Sequence, residues 1–270
     1  MAMLAAEAGP SVKLRGVTVE LLERGEGRQL LFLHPGHPSG RLDPKAPVLE
    51  LLSANARVIV PTHPGFGTAP APRELTSVDD LAYLYLDLLD ALDLQDVVLV
   101  GVSLGGWIAA EMAVKSTERI SALVLVDAVG IKVGDRESRD IADIYAITDK
   151  QLAELVYADP VRMAPNPKTL PESELSLMAR SRESTGRYAW SPYMHNPKLK
   201  GRLHRINVPA LVLWGAADRV VKTEYGRAYA AAIPIARFET IEGAGHFPHL
   251  EQPVAFAHEV TRFIENTGRP

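Results

Sequence analysis

Five short apolar runs govern what this chain can fold into: 29–34 (QLLFLH), 57–62 (RVIVPT), 97–101 (VVLVG), 120–127 (ISALVLVD) and 209–215 (PALVLWG). Each is nearly continuous rather than alternating between apolar and polar residues. A strand with that pattern is buried on both faces, as happens in a parallel sheet covered by helices. Helical periodicity fills the intervals. It is clearest in 76–94 (TSVDDLAYLYLDLLDALDL), where Thr76 or Ser77 can cap the helix and acidic residues occupy its first turn. Such alternation predicts βαβ crossovers and an α/β fold. Before it, 12–27 reads as two strands closed by a glycine turn, and after it 252–265 reads as a final helix. The alternation breaks between about Gly130 and Arg205, a more polar stretch rich in proline with several short amphipathic patterns. That stretch predicts an insertion of helices outside the sheet.

Composition narrows the function classes. The 29 basic and 33 acidic residues leave a net charge of −4, with no long block of one sign, so neither nucleic acid nor an anionic membrane surface is favoured as a partner. The chain of 270 residues has no cysteine, which excludes disulfides, thiolate metal sites and a cysteine nucleophile. No apolar run approaches the roughly 18 residues of a membrane span. The first residues carry no positive charge before Lys13 and make a poor signal peptide, so the expected location is cytoplasmic.

The chemistry gathers at 101–105, Gly101-Val102-Ser103-Leu104-Gly105, where a buried strand gives way to an alanine-rich helical pattern. A serine hydroxyl is a weak nucleophile that needs an adjacent base and must stand clear of the backbone. A sharp strand-to-helix turn projects it, and glycines two residues to either side relieve the crowding. The following helix directs its free N–H groups toward the place where negative charge develops. Such a serine needs a histidine base and a carboxylate to orient it. Asp218 lies just beyond the run 209–215, and His246 lies in a glycine-rich loop, 242–253, after the strand expected near 236–241. Asp127, also at a strand end, is the competing acid.

Five motifs in order, 32–38 (FLHPGHP), 64–67 (PGFG), 101–106 (GVSLGG), 214–221 (WGAADRVV) and 243–253 (GAGHFPHLEQP), resemble those of α/β-hydrolase-fold enzymes with a helical cap after the sixth strand. The resemblance covers nearly the whole chain. It implies an eight-stranded, mostly parallel sheet flanked by helices, with a core over 1–129 and 206–270 and a cap over 130–205. It implies Ser103, His246 and Asp218 as a catalytic triad. It also implies an oxyanion hole built from the Leu104 amide and one from the loop after the run 29–34. Pro35 has no N–H to give. Aligning Gly36-His37-Pro38 with the family's Gly-x-Pro makes His37 the donor, and aligning on His34 makes it Gly36; His37 is favoured.

His34, Gly36 and His63 are expected to shape the pocket wall. His34, His37 and His63 together could hold zinc, but no carboxylate or fourth ligand accompanies them, so no metal is expected. Trp190 and Tyr193, in the aromatic cluster of 187–197, are expected to roof the pocket, and Trp107 to belong to the core. No cofactor is expected. The expected partner is a small ester-like substrate, and a homodimer is left open. Three activities follow. The favoured one is hydrolysis of carboxylic esters or lactones through an acyl-enzyme on Ser103. The second is hydrolysis of a carbon–carbon bond in a β-diketone, although relatives with that activity often carry tryptophan where Phe247 stands. The third is a ligand receptor on the same scaffold.

Overall fold

The computed structural model describes residues 10–36, 40–135 and 137–267. Strands β1 (Ser11–Leu14) and β2 (Val17–Arg24) form an antiparallel hairpin. After them come β3 (Arg28–Leu33), α1 (Pro47–Ser53), β4 (Ala56–Pro61), α2 (Val78–Ala91), β5 (Val97–Val102), α3 (Leu104–Lys115) and β6 (Ile120–Val126). Helices α4 (Asp149–Val156), α5 (Pro160–Met163) and α6 (Glu172–Ala189) and a 3-10 turn over Lys200–Arg205 separate β6 from β7 (Ala210–Gly215). The chain continues through α7 (Thr223–Ala232), β8 (Ala236–Ile241), α8 (Pro248–Glu251) and α9 (Pro253–Asn266).

The eight strands make one sheet in the order β1-β2-β4-β3-β5-β6-β7-β8. Pairing is parallel from β4 to β8 and antiparallel between β1, β2 and β4. The burial of each strand follows from its place. Strands β5 and β7 lie inside the sheet and are buried at every residue, as their continuous apolar runs require. Strand β2 alternates, with Val17, Val19 and Leu21 inward and Thr18 and Glu20 outward, because one face of that end meets solvent.

Helix α2 begins at Ser77, whose hydroxyl accepts from the Asp80 amide while the Asp80 carboxylate accepts from the Ser77 amide. Helix α3 is buried from Leu104 to Val114, Trp107 included. The one buried charge on α3, Glu111, accepts hydrogen bonds from Trp107, Lys115 and Asn196. Helix α6 is fixed to the loops above the sheet through polar side chains that donate to backbone carbonyls. Ser181 and Thr185 bond Gly36, Arg180 and Ser184 bond Gly65, Tyr188 bonds Pro64, and Arg187 bonds Pro72 and Leu75. No helix among the described residues is long and apolar enough to cross a membrane.

Candidate active site

Ser103 stands alone between the last residue of β5 and the first of α3, with φ 51° and ψ −111°. This is left-handed backbone that a residue with a side chain rarely adopts. The junction is held by the Ser103 amide, which donates to Val126 on the neighbouring strand at 2.8 Å. Glycine is required on both sides because backbone passes close by. A methyl group on Gly101 would lie 2.3 Å from the Gly105 carbonyl oxygen, and one on Gly105 would lie 2.1 Å from that of Leu33. The turn thereby lifts the hydroxyl off the end of the sheet, beside the first amides of α3, which have no partner within their own helix.

Two loops complete the arrangement. The loop after β7 carries Asp218 and the loop after β8 carries His246, and both side chains are buried. His246 Nε2 lies 2.8 Å from Ser103 Oγ, and His246 Nδ1 lies 2.8 Å from Asp218 Oδ2. With Nδ1 donating to the carboxylate, Nε2 is left as the acceptor for the hydroxyl proton. Asp218 is held in turn by its own loop, its Oδ1 accepting from the amides of Val220 and Val221 at 2.8 and 3.1 Å. The arrangement can take a proton from a serine hydroxyl and return it. Asp127 bonds neither Ser103 nor His246. Its Oδ1 accepts from the Gly215 amide at 2.9 Å, and its Oδ2 has no partner.

A cavity of about 40 Å³ opens over Ser103. The loops and strand ends supply Gly36, Leu104, Val129, Val220 and Phe247 to its wall, and the segment between β6 and β7 supplies Ile141, Ile144, Leu152, Val156, Thr185 and Met194. A second cavity of about 550 Å³ between α4, α5 and α6 shares Leu152 and Val156 with the first and is lined elsewhere by Tyr157, Met178 and Ala179.

Gly36 and Leu104 both line the cavity over Ser103. His37 lies outside the described residues. Trp190 and Tyr193 do not line the serine cavity. Trp190 is 58% exposed, and Tyr193 is held away by its hydroxyl, which donates to Ala142 and accepts from the Ile144 amide. The two rings pack edge-on to each other and to Tyr145, an anchoring cluster rather than a roof.

His34 and His63 are also absent from the wall. Both are fully buried, their rings 3.8 Å apart. His34 Nδ1 donates to the Pro35 carbonyl and its Nε2 accepts from the His63 amide; His63 Nε2 donates to the His34 carbonyl and its Nδ1 meets the Tyr85 hydroxyl. Burial pushes His34 down to about 4 and His63 well below the usual histidine range. Each neutral ring has one lone pair, and each lone pair is taken, so this pair has none to offer a metal.

Sequence reasoning missed the wall residues of the segment between β6 and β7. Leu152 and Val156 carried a readable signal, an i, i+4 apolar pair behind a Thr148–Gln151 capping box. Ile141 and Ile144 sit in irregular backbone, where no periodicity marks which way a side chain faces.

Comparison with known proteins extends these observations. A 2-hydroxymuconate semialdehyde hydrolase from Pseudomonas putida is 25% identical over 292 residues, spanning 96% of this chain and 94% of that protein. A thermophilic esterase from Thermogutta terrifontis superposes with a TM-score of 0.72 at 25% identity, over 97% of this chain and all of that one. A meta-cleavage product hydrolase from Pseudomonas fluorescens IP01 shares the fold with a TM-score of 0.75 at 22% identity, over 97% of this chain and 99% of that one. Residues 30–259 match the alpha/beta hydrolase family. With its sheet order, its strained serine turn and that match across most of its length, the chain belongs to the alpha/beta hydrolase family.

Proposed function

We propose that this protein hydrolyses carboxylic esters of small, partly apolar compounds through an acyl-enzyme on Ser103. The observation that carries the reading is the unbroken hydrogen-bonded chain from Ser103 through His246 to Asp218, with 2.8 Å at each link. Ser103 Oγ attacks the ester carbonyl while His246 Nε2 takes its proton. Asp218 holds the ring in that tautomer and stabilises the imidazolium that forms. The Leu104 amide, with one from Gly36 or His37, receives the oxyanion. His246 returns the proton to the departing alcohol, and a water activated by the same nitrogen then releases the acid. Neither step calls on a cofactor. Residues 130–205 serve as a cap that keeps bulk water from the acyl-enzyme.

Size decides where the substrate sits. A space of about 40 Å³ over Ser103 accommodates a reacting carbonyl group and little else, since each water-sized site takes roughly 10–15 Å³. The rest of the substrate extends past Leu152 and Val156 into the larger cavity, whose 550 Å³ falls in the usual range for small-molecule sites.

A second reading, hydrolysis of a carbon–carbon bond, is favoured by the similarity to the Pseudomonas putida hydrolase over nearly the whole chain. Against it stands the wall of the serine cavity, which among the described residues has no lysine or arginine to meet the carboxylate of a dienone acid; the basic side chains, Lys150 and Arg182, line the larger cavity instead.

The two are separated by turnover of p-nitrophenyl esters and of a dienone acid, on the wild type and on Ser103→Ala. The ester reading expects ester turnover to exceed dienone turnover and to fall by roughly 10⁶ in the variant. A serine-directed phosphonate should add one mass, at Ser103. Preferential dienone cleavage establishes the second reading, and a label elsewhere removes both.

A further inference from the structure

One buried acid beside the proposed triad has no part in it. Asp127 follows β6 at φ 43° and is fully buried. Asp127, Asp218 and His246 each place a polar side-chain atom within 4.8 Å of the other two. The titratable groups that face Asp127 are Asp218, Glu251 and His246, and none of them is a permanent cation. Two carboxylates buried at that spacing cannot both hold a charge cheaply. The donors decide which one does. Asp218 receives three N–H groups, from Val220, Val221 and His246, whereas Asp127 receives only that of Gly215. The charge therefore resides on Asp218 and the proton on Asp127. Burial first, and the Asp218 charge second, hold the Asp127 carboxyl well above the usual carboxylate range.

That proton has one destination. Oδ1 of Asp127 already accepts from Gly215, so the hydroxyl is on Oδ2, the atom that lacks a partner. A carboxylate offers about four lone-pair sites, and Asp218 has three of its sites filled. We propose that Asp127 is a positioning residue, a neutral carboxyl group whose Oδ2 hydroxyl donates to Asp218 and fixes the carboxylate that orients His246. The proposal rests on the triad reading given above. It replaces a lone aspartate behind the base with an acid–carboxylate pair carrying one negative charge.

Two tests read the protonation state without activity. The infrared difference spectrum of wild type minus Asp127→Asn, at neutral pH, should contain a carboxylic-acid carbonyl band. The melting temperature of Asp127→Asn relative to wild type should rise with pH. In the wild type the folded chain keeps a proton that the unfolded chain releases, so this group's stabilisation declines as pH increases. Asparagine does not titrate there.

A third test reads the link to Asp218. Asp127→Ala should lower kcat roughly ten- to a hundredfold at little cost in KM. Asparagine, which accepts from Gly215 and donates to Asp218, should restore most of it. In an Asp218→Asn background the Asp127→Ala loss should vanish. The proposal is overturned by the absence of the carbonyl band, by Asp127→Asn matching Asp127→Ala in damage, or by a loss that persists undiminished without the Asp218 carboxylate. If instead Ser103→Ala stays active, the triad reading fails, while the infrared and melting results still report on Asp127.

Discussion

The left-handed backbone at Ser103 stores strain, since a non-glycine residue held in a sparse region of φ and ψ costs about 1–3 kcal/mol. Ser103→Gly relaxes that position and removes the hydroxyl. The variant should melt at a higher temperature, by about 1 kcal/mol of added stability, and hydrolyse no ester. Calorimetry beside an ester assay checks this, and a variant less stable than the wild type places the strain elsewhere. For the carboxylate, Asp218→Asn should leave the fold intact and lower kcat by about 10⁴, because an amide favours the other histidine tautomer. Circular dichroism and steady-state kinetics read both halves, and a mild Asp218→Asn beside a crippling Asp127→Asn reverses the assignment of the acid. At this scale the sequence was informative because each of Ser103, Asp218 and His246 follows a strand at a junction with its own local signature. Two glycines flank the serine, and Gly243 and Gly245 precede the histidine. Trp190 and Tyr193 carried no such signature. A cluster of aromatic residues announces area to be buried but not the direction in which each ring points, and hydrogen bonds to Ala142 and Ile144 settled that for Tyr193.

Among the elements, α4 stands where the two cavities meet. Its buried face presents Leu152 and Val156 to both cavities at once. Leu152→Trp should fill the passage between them. kcat/KM for a hexanoate ester should fall roughly ten- to a few hundredfold, while that for an acetate ester falls much less. A series of p-nitrophenyl esters measures the split, and an equal loss for short and long chains shows that the substrate does not pass there. Strands were the most legible elements, because burial on both faces leaves an unbroken apolar run. Helix α2 was bounded to within a few residues by its Ser77 cap. The wall contributed by residues 130–205 was largely illegible. Two of the three helices there are short, the packing of α6 relies on polar side chains reaching distant carbonyls, and neither leaves a period in the sequence.

Over the whole molecule, the buried histidines set the response to acid. Burial lowers His34 to about 4 and His249 to about 3, and it drives His63 in the same direction. An imidazole with a depressed value contributes stability that is complete above its unfolded value of 6.5 and is lost as pH falls toward the folded one. Asp127 and Glu251 act oppositely, since burial raises both and their contribution is lost as pH rises. The acid side of neutrality belongs to the rings, so the melting temperature should fall as pH drops from the unfolded histidine value toward those of folded His34 and His249. Melting temperatures recorded across that range test it. The acid loss should shrink in His249→Leu, which removes one titrating ring, and a melting temperature insensitive to acid contradicts the account.

The end of α4 bears on both the loop that carries Asp218 and the loop that carries His246. The Leu155 carbonyl accepts from the Arg219 amide, next to the acid, and the Val156 carbonyl accepts from the amide of His246 itself at 2.7 Å. Two residues on, the Ala158 amide donates to Glu251, whose other oxygen accepts from Gly245. The helix and the two loops thus form an interlock: lifting α4 away from the sheet breaks the hydrogen bonds that hold the Asp218 and His246 loops in register. On the acyl-enzyme reading, exclusion of water and readiness for chemistry are a single condition, and a ligand that props α4 away from the sheet should inhibit without ever touching the serine.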